Sequence, residues 1–281
     1  MTVSRRRIDH LVLAVHDLDR AAAFYEGLGF QVGARNRHPW GTENRLVQFR
    51  SSFLELITVG DSALIPPHAP GRFSFGAFVR DYLERREGLA MVVLDSTDAP
   101  ADAAEFARTG IGRFEPFSFE RKGRRPDGGE TVVGFSLAFA LDPRLPDTSF
   151  FVCQQHNPEA FWNPAFQQHA NGAHDVVSVT LEVSDPLEHA DFVAGFTGIA
   201  GQTCGEQDLV FPLRGHGRLI TASGDGAAGC LSYRVAVADP AAVAERLRRL
   251  GMPFKTVDGV VAIGATEAFG VAIQFGGAEK R

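Results

Sequence analysis

The sequence predicts an α+β protein built from four tandem βαβββ modules. Three observations lead there. A strand–helix–glycine unit recurs four times, three strand-like runs follow each copy, and the spacers between copies are unequal. The unit is clearest at Ile8 to Phe30, IDHLVLAVHDLDRAAAFYEGLGF. Ile8, His10, Val12 and Ala14 fall on one face of a period-two strand, and Asp9, Leu11, Leu13 and Val15 on the other. Both faces are mostly apolar, so cover on both sides is expected. Asp17 then offers an N-cap carboxylate. Leu18, Ala21, Ala22 and Tyr25 follow at helical spacing, and Gly27 and Gly29 offer left-handed C-terminal positions.

The other copies start at Leu89 (LAMVVLDSTDAPADAAEFARTGI), Val176 (VVSVTLEVSDPLEHADFVAGFTGI) and Cys230 (CLSYRVAVADPAAVAERLRRLGM). The aspartate-to-glycine distances are 12 (Asp17 to Gly29), 12 (Asp98 to Gly110), 13 (Asp185 to Gly198) and 12 (Asp239 to Gly251). Pro100, Pro186 and Pro240 sit in first helical turns, where a missing amide costs nothing. Agreement of cap, length and stop in four places is not a chance pattern.

Strands are expected after each helix: Phe30 to Ala34, Arg45 to Arg50 and Phe53 to Val59 in the first copy; Phe114 to Glu120, Thr131 to Ala140 and Ser149 to Gln154 in the second, with a hairpin turn at Asp127-Gly128. The third copy offers Gly201 to Thr203, Asp208 to Pro212 and Gly217 to Thr221. The fourth offers Phe254 to Val257, Val260 to Gly264 and Gly270 to Phe275. A first spacer, Gly60 to Gly88, holds a Pro-rich turn and a short helix around Phe78 to Arg86. A second, Gln155 to Asp175, is too rich in aromatics for a plain linker. The domain boundary falls there, giving residues 1–170 and 171–281. Phe161, Trp162 and Phe166 are expected to pack on the first domain, since exposing them all invites aggregation.

Composition narrows the partners. A net charge of −6 argues against nucleic acid. The basic runs Arg5-Arg6-Arg7 and Arg121-Lys122-Gly123-Arg124-Arg125 read as a solvated tail and a hairpin tip. No apolar run approaches the roughly 20 residues of a membrane helix, and no apolar leader precedes the first strand. Three scattered cysteines, Cys153, Cys204 and Cys230, form neither a disulfide framework nor a thiolate zinc site, so a cytoplasmic location is expected. The 23 phenylalanines read as a Phe-rich core rather than a dedicated aromatic cage. No P-loop, dinucleotide fingerprint or serine-hydrolase elbow occurs.

Modules of this kind, with an IDHLVLAV first strand and an FLELI last strand, resemble the vicinal oxygen chelate superfamily, which includes glyoxalase I, extradiol dioxygenases and fosfomycin-resistance proteins. The match is closest to glyoxalase-like proteins, through His38-Pro39-Trp40-Gly41-Thr42-Glu43-Asn44 and Leu54-Glu55-Leu56. The resemblance implies that the modules pair into two cupped mixed-sheet domains around a divalent cation (Zn, Mn, Fe or Ni). His10 and Glu55 match two ligand positions, and Glu55 would also be catalytic. Neutral imidazole and carboxylate suit such ions. Read alone, His10 is equally a histidine satisfied in the core and Glu55 a strand-edge charge. His38, Trp40, Thr42 and Asn44 form a polar loop with an aromatic, suited to orienting substrate or to turn chemistry. Gly41 and Gly172 read as turn residues.

The match is incomplete. The positions equivalent to His10 in later modules are Met91, Ser178 and Ser232, none a good ligand. A third ligand would come from the second spacer, with His169 first and His156 as the alternative; both also read as loop histidines. The C-terminal domain is then degenerate, a structural or homodimer-forming half. The leading functional expectation is a metal-assisted lyase or isomerase acting on a small carbonyl or hydroxy compound. The alternative is a metal-free small-ligand binding or resistance protein, and the third an extradiol ring-cleaving dioxygenase.

Overall fold

A computed structural model of the chain describes residues 4–124 and 129–277. The first module runs β1 (Ile8–Ala14), α1 (Leu18–Gly27), β2 (Asn36–Arg37), β3 (Thr42–Gln48) and β4 (Phe53–Val59), and an inserted helix, α2 (Phe75–Leu83), follows it. The second has β5 (Gly88–Ser96), α3 (Ala99–Thr109), β6 (Phe117–Arg124), β7 (Glu130–Ala140) and β8 (Ser149–Gln155), then a one-turn helix, α4 (Pro158–Phe161). The third comprises β9 (Ala173–Val183), α5 (Ala190–Thr197), β10 (Gln202–Cys204), β11 (Asp208–Pro212) and β12 (Arg218–Ser223). The fourth comprises β13 (Gly229–Val237), α6 (Pro240–Arg249), β14 (Lys255–Val257), β15 (Val260–Ile263) and β16 (Ala272–Gly276).

Two eight-stranded mixed sheets result, ordered β2-β3-β4-β1-β5-β8-β7-β6 and β10-β11-β12-β9-β13-β16-β15-β14. This is the expected α+β architecture of two glyoxalase-like domains. In each sheet the first strands of two modules meet antiparallel at the centre, and each pairs in parallel with the last strand of its own module. Asp17, Asp98 and Asp239 cap α1, α3 and α6 as read, each accepting first-turn backbone amides, whereas Asp185 caps a 3-10 turn, Pro186–His189, that leads into α5. Gly29, Gly110, Gly198 and Gly251 close the turns with φ of 94°, 78°, 74° and 63°. Gly27 is instead the last residue of α1 and does not take a left-handed conformation.

The sheets sit back to back with α1, α3, α5 and α6 between them, and one apolar core runs through both. Leu11, Leu13, Tyr25, Phe106 and Phe150 from the first half share it with Leu181, Phe196, Tyr233 and Ile273 from the second. Polar contacts cross the same seam: Tyr25 and Tyr233 share a buried 2.7 Å hydrogen bond. Asp142 meets His189 at 2.8 Å, also buried. A separate apolar cluster fills the concave side of the first sheet, where α2 supplies Phe75, Val79 and Tyr82 as cover.

Some local expectations fail for identifiable reasons. Phe30 to Ala34 is not a strand: the Gln31 amide donates to His169 Nδ1 at 2.9 Å, the Gly33 amide makes an isolated bond to the Leu46 carbonyl at 2.8 Å, and the regular ladder starts at Asn36. The first basic run is no solvated tail. Arg6 is buried against both Asp102 carboxylate oxygens at 2.8 Å, and Arg7 Nε reaches Asp95 at 3.1 Å. Phe161 packs on Phe53 with ring centroids 5.1 Å apart and Trp162 lies edge-on to the same ring, but Phe166 is 49% exposed. The Asp127-Gly128 turn lies outside the described residues. None of the described helices is long and apolar enough to cross a membrane.

The Tyr25–Tyr233 bond should be measurable as a coupling between the halves. Tyr25→Phe leaves the Tyr233 hydroxyl buried without a partner and should cost about 1–3 kcal/mol in urea denaturation. The Tyr25→Phe/Tyr233→Phe double variant should cost less than the two single costs added together. Strict additivity would show that the hydroxyls do not act as a pair.

Candidate functional site

The site begins with an irregularity in β1. Opposite β5, Ile8 pairs with Leu94 and His10 with Val93, so β1 advances two residues for one on its partner and Asp9 is the extra residue of a β-bulge. The alternation expected from the sequence is therefore broken. Ile8 joins Leu11 and Leu13 on the helix-covered face, while Asp9 turns inward beside His10. There the Asp9 carboxylate accepts from His10 Nδ1 at 2.7 Å and from Gln155 Nε2 at 2.8 Å.

A hydrogen on Nδ1 leaves His10 Nε2 as a lone-pair acceptor facing the cup. The ring is fixed by Phe53, stacked at 4.2 Å, and by the edge of Phe151 at 5.4 Å. Glu55 on β4 projects from the adjacent strand, its Oε2 3.9 Å from His10 Nε2. Its other oxygen accepts from Asn44 Nδ2 at 2.5 Å, and Asn44 Oδ1 in turn accepts from Asn36 Nδ2 at 3.0 Å. His10 and Glu55 are both buried. Two acceptor atoms of buried residues thus face each other across the cup at a distance that suits a donor or a cation between them.

The segment His38 to Asn44, a loop that runs into β3, delivers three of its four expected residues to this cavity. His38, Trp40 and Asn44 line it together with His10 and Glu55. Thr42 does not; its hydroxyl lies 2.8 Å from His38 Nδ1 and holds the ring that stacks on Trp40 at 4.6 Å. Gly41, at φ 84°, makes the loop possible, because a Cβ there would come 2.4 Å from the Asp61 carbonyl. Gly172 also has positive φ, 72°. The cavity holds about 60 Å³ of free space, room for roughly four waters or the head of a small ligand. Its walls are strongly aromatic, with Phe53, Phe75, Phe119, Phe135, Phe151 and Phe161, so the phenylalanines serve the pocket as well as the core.

The two spacer histidines are elsewhere. His169 stands between the aromatic rings of Phe30 and Phe49, with Nδ1 receiving the Gln31 amide and Nε2 2.8 Å from the Gln48 carbonyl. Both nitrogens are used, so it has no lone pair for an ion. His156 bonds Ser136 at 2.8 Å; Ser136 alternates with Phe135 and Leu137, which line the cavity, and therefore lies on the opposite face of β7. The expectation that either completes a metal shell does not match these placements. Sequence reading also missed Arg121, assigned to a hairpin tip. It lines the cavity and reaches Asn36 Oδ1 at 3.2 Å. The signal was legible: Phe117, Phe119 and Arg121 share one face of β6.

The tandem-module α+β fold thus carries a polar, aromatic-walled cavity in its first cup. The chain belongs to the glyoxalase-like domain family, whose model matches residues 8–196 and so extends past the first sheet into the third module. No curated protein sequence matches. Among solved structures, a hypothetical protein from Staphylococcus aureus is 12% identical with a TM-score of 0.69, covering 96% of this chain and 98% of its own. The Mn(II)-bound glyoxalase from Novosphingobium aromaticivorans is 12% identical, with a TM-score of 0.58 and coverage of 96% and 81%. A triple mutant of 4-hydroxymandelate synthase from Streptomyces coelicolor is 12% identical, with a TM-score of 0.56 and coverage of 100% and 95%. At such identities the likeness is one of fold.

A divalent cation can be tested against the residues present. His10 Nε2 and Glu55 Oε2 offer two donor atoms, and Asp9 orients the imidazole as carboxylates do behind ligating histidines. The facing strand positions give Met91 and Val93 from β5 and Phe151 and Cys153 from β8. Burial pushes the Cys153 thiol well above its ordinary pKa. Among the described residues no group of three or more His, Cys, Asp or Glu is placed to hold an ion. The donor set is therefore short of the three protein ligands usual at catalytic zinc, for instance, and does not fit a cation held by protein ligands alone.

Burial pushes the pKa of His38 down, against the pull of Glu55, with Arg121 adding to the fall; burial also lowers His169. Each has a folded pKa below its ordinary value of 6.5. Between the two values the unfolded chain binds protons that the folded chain refuses, so stability falls as pH drops below about 6.5. The melting temperature should decline on acidification from about pH 7.5 to 5.5, and His169→Gln should flatten the decline. An unchanged or steeper slope in that variant would contradict the assignment.

Proposed function

We propose that the first cup is the active site of an enzyme acting on a small carbonyl or hydroxy compound by proton transfer between substrate and the His10–Glu55 pair. The observation that carries this is the opposition of His10 Nε2 and Glu55 Oε2 at 3.9 Å. A substrate hydroxyl, or an acidic C–H beside a carbonyl, supplies the donor that the two acceptors lack. Glu55 has one oxygen pinned by Asn44 and the other free to take a proton. His10 is held by Asp9 in the tautomer that accepts on Nε2, and Asp9 stabilises the imidazolium once it forms. One group takes the proton and the other returns it, which suits isomerisation or elimination. The aromatic walls exclude water and strengthen these charges.

The metal-assisted form of this chemistry has less support here, because the cup furnishes two protein ligands; any further positions on a cation would fall to water and substrate. A metal-free binding role is supported by the aromatic walls but leaves the Asp9–His10–Glu55 arrangement without a purpose.

Deuterium exchange tests the proposal without knowledge of the product. A panel of small 2-oxo and 2-hydroxy aldehydes, ketones and acids, incubated with enzyme in D2O, should include compounds that gain deuterium at the C–H carbon next to a carbonyl. His10→Gln and Glu55→Gln should each slow that exchange by about 10²–10⁴-fold. Chelator treatment should leave it unchanged. Loss of exchange on chelation, restored by manganese, would favour the metal-assisted mechanism. Equal exchange in wild type and both variants would sink the proposal.

A further inference from the structure

Arg121 stands where two chambers join. The inner one is the aromatic cavity of the first cup. The outer one holds about 260 Å³ and is lined by polar groups including Asn36, Gln48 and Asn163, with Trp162 over it. Arg121, Leu46 and Phe161 line both. The guanidinium therefore stands in the wall that the outer chamber shares with the cavity of His10 and Glu55.

The guanidinium is unusually placed. Its hydrogen-bond partner is the neutral Asn36 carbonyl at 3.2 Å. Among the described residues no carboxylate lies within ion-pair distance of it. Glu55 acts on it through space, and burial lowers its pKa all the same. A partly desolvated cation without a carboxylate in contact is costly. Arginine also presents a planar fork that matches a carboxylate with two parallel N–H bonds. The outer chamber's own carboxylate, Glu159, is exposed.

Resting on the active-site reading above, we infer that Arg121 is the docking point for a carboxylate on the substrate. The substrate class is then a small carboxylic acid. Its apolar or aromatic body and reacting carbon enter the inner cavity, and its carboxylate stays at the junction with Arg121 and Asn36. Phosphate fits less well. One guanidinium is the cation facing the junction, and the neighbouring His38 is held towards its neutral form by burial.

Benzoate and its neutral near-isostere benzamide separate charge from shape. The chain's two tryptophans, Trp40 and Trp162, line the inner and outer chambers, so intrinsic fluorescence reports binding directly. Benzoate should bind at least about tenfold more tightly than benzamide, the factor that one charge-assisted hydrogen bond supplies. Arg121→Gln should bring the two affinities together at an unchanged melting temperature. Arg121→Lys, which keeps the charge, should retain a smaller preference and gives the same reading if the glutamine variant fails to fold. His10→Gln should leave the preference intact, so loss of exchange without loss of binding concerns the catalytic proposal alone. Equal affinities in the wild type, or a preference that survives Arg121→Gln, would overturn the inference. Inorganic phosphate displacing benzoate more effectively than acetate does would overturn the choice of carboxylate.

Discussion

The one-residue bulge at Asp9 is the constraint on which the site depends. Regular alternation in β1 would send Asp9 to the helix-covered face, where a carboxylate would sit unpaired in the core shared by both sheets. The extra residue turns it inward, where His10 and Gln155 satisfy it. The chain just before the bulge is tied down by Arg6 on Asp102 and by Arg7 on Asp95. Those ion pairs hold the start of β1 against β5 and α3, so the irregularity cannot relax by sliding. A basic tail at the chain start thereby contributes to the geometry of a distant imidazole.

Placing an acceptor pair in an aromatic cup carries a cost that the fold offsets locally. Phe53 and Phe151 clamp the ring, Asn44 takes one oxygen of Glu55, and Asn36 in turn holds Asn44. Arg121, on a strand of the second module, bonds Asn36 as well, so a single hydrogen-bonded chain runs from β6 to Glu55, which faces His10. The inserted helix α2 and the segment around Phe161 shield this chain from solvent. Low polarity strengthens each contact and makes the remaining lone pairs harder to leave unmet. A pocket of the second sheet is lined by Ser178 and Arg234, and its lining among the described residues includes no carboxylate to pair with a histidine as Glu55 does with His10.

Much of the fold was legible because the signals were local. Asp17, Asp98, Asp185 and Asp239 name helix starts, and their glycines name helix ends, by chemistry that tertiary packing does not override. The loop from His38 to Asn44 was legible for the same reason. What failed depends on contacts distant in sequence. Nothing in Ile8 to Ala14 announces a bulge, since it arises from pairing with β5. At Phe30 to Ala34, Phe30 still bonds back to α1, a histidine 138 residues away takes the Gln31 amide, and the Gly33 amide reaches Leu46 on β3 without a regular ladder. His169 reads as a ligand in isolation and becomes a strut only once Gln31 and Gln48 close on its two nitrogens. Arg121 was hidden by its basic neighbours, although its alternation with Phe117 and Phe119 placed it on the inner face.

The account rests on which nitrogen of His10 carries the proton, and that can be observed directly. Long-range ¹H–¹⁵N correlation spectra of the imidazole rings, assigned with a His10→Gln control, distinguish the two neutral tautomers. Hydrogen on Nδ1, with Nε2 unprotonated and a shift towards the other tautomer in Asp9→Asn, is the predicted result. Hydrogen on Nε2 in the wild type would mean that His10 donates to Glu55. The two acceptors would then not face each other, and the reading of the cup as a proton-transfer site would be contradicted.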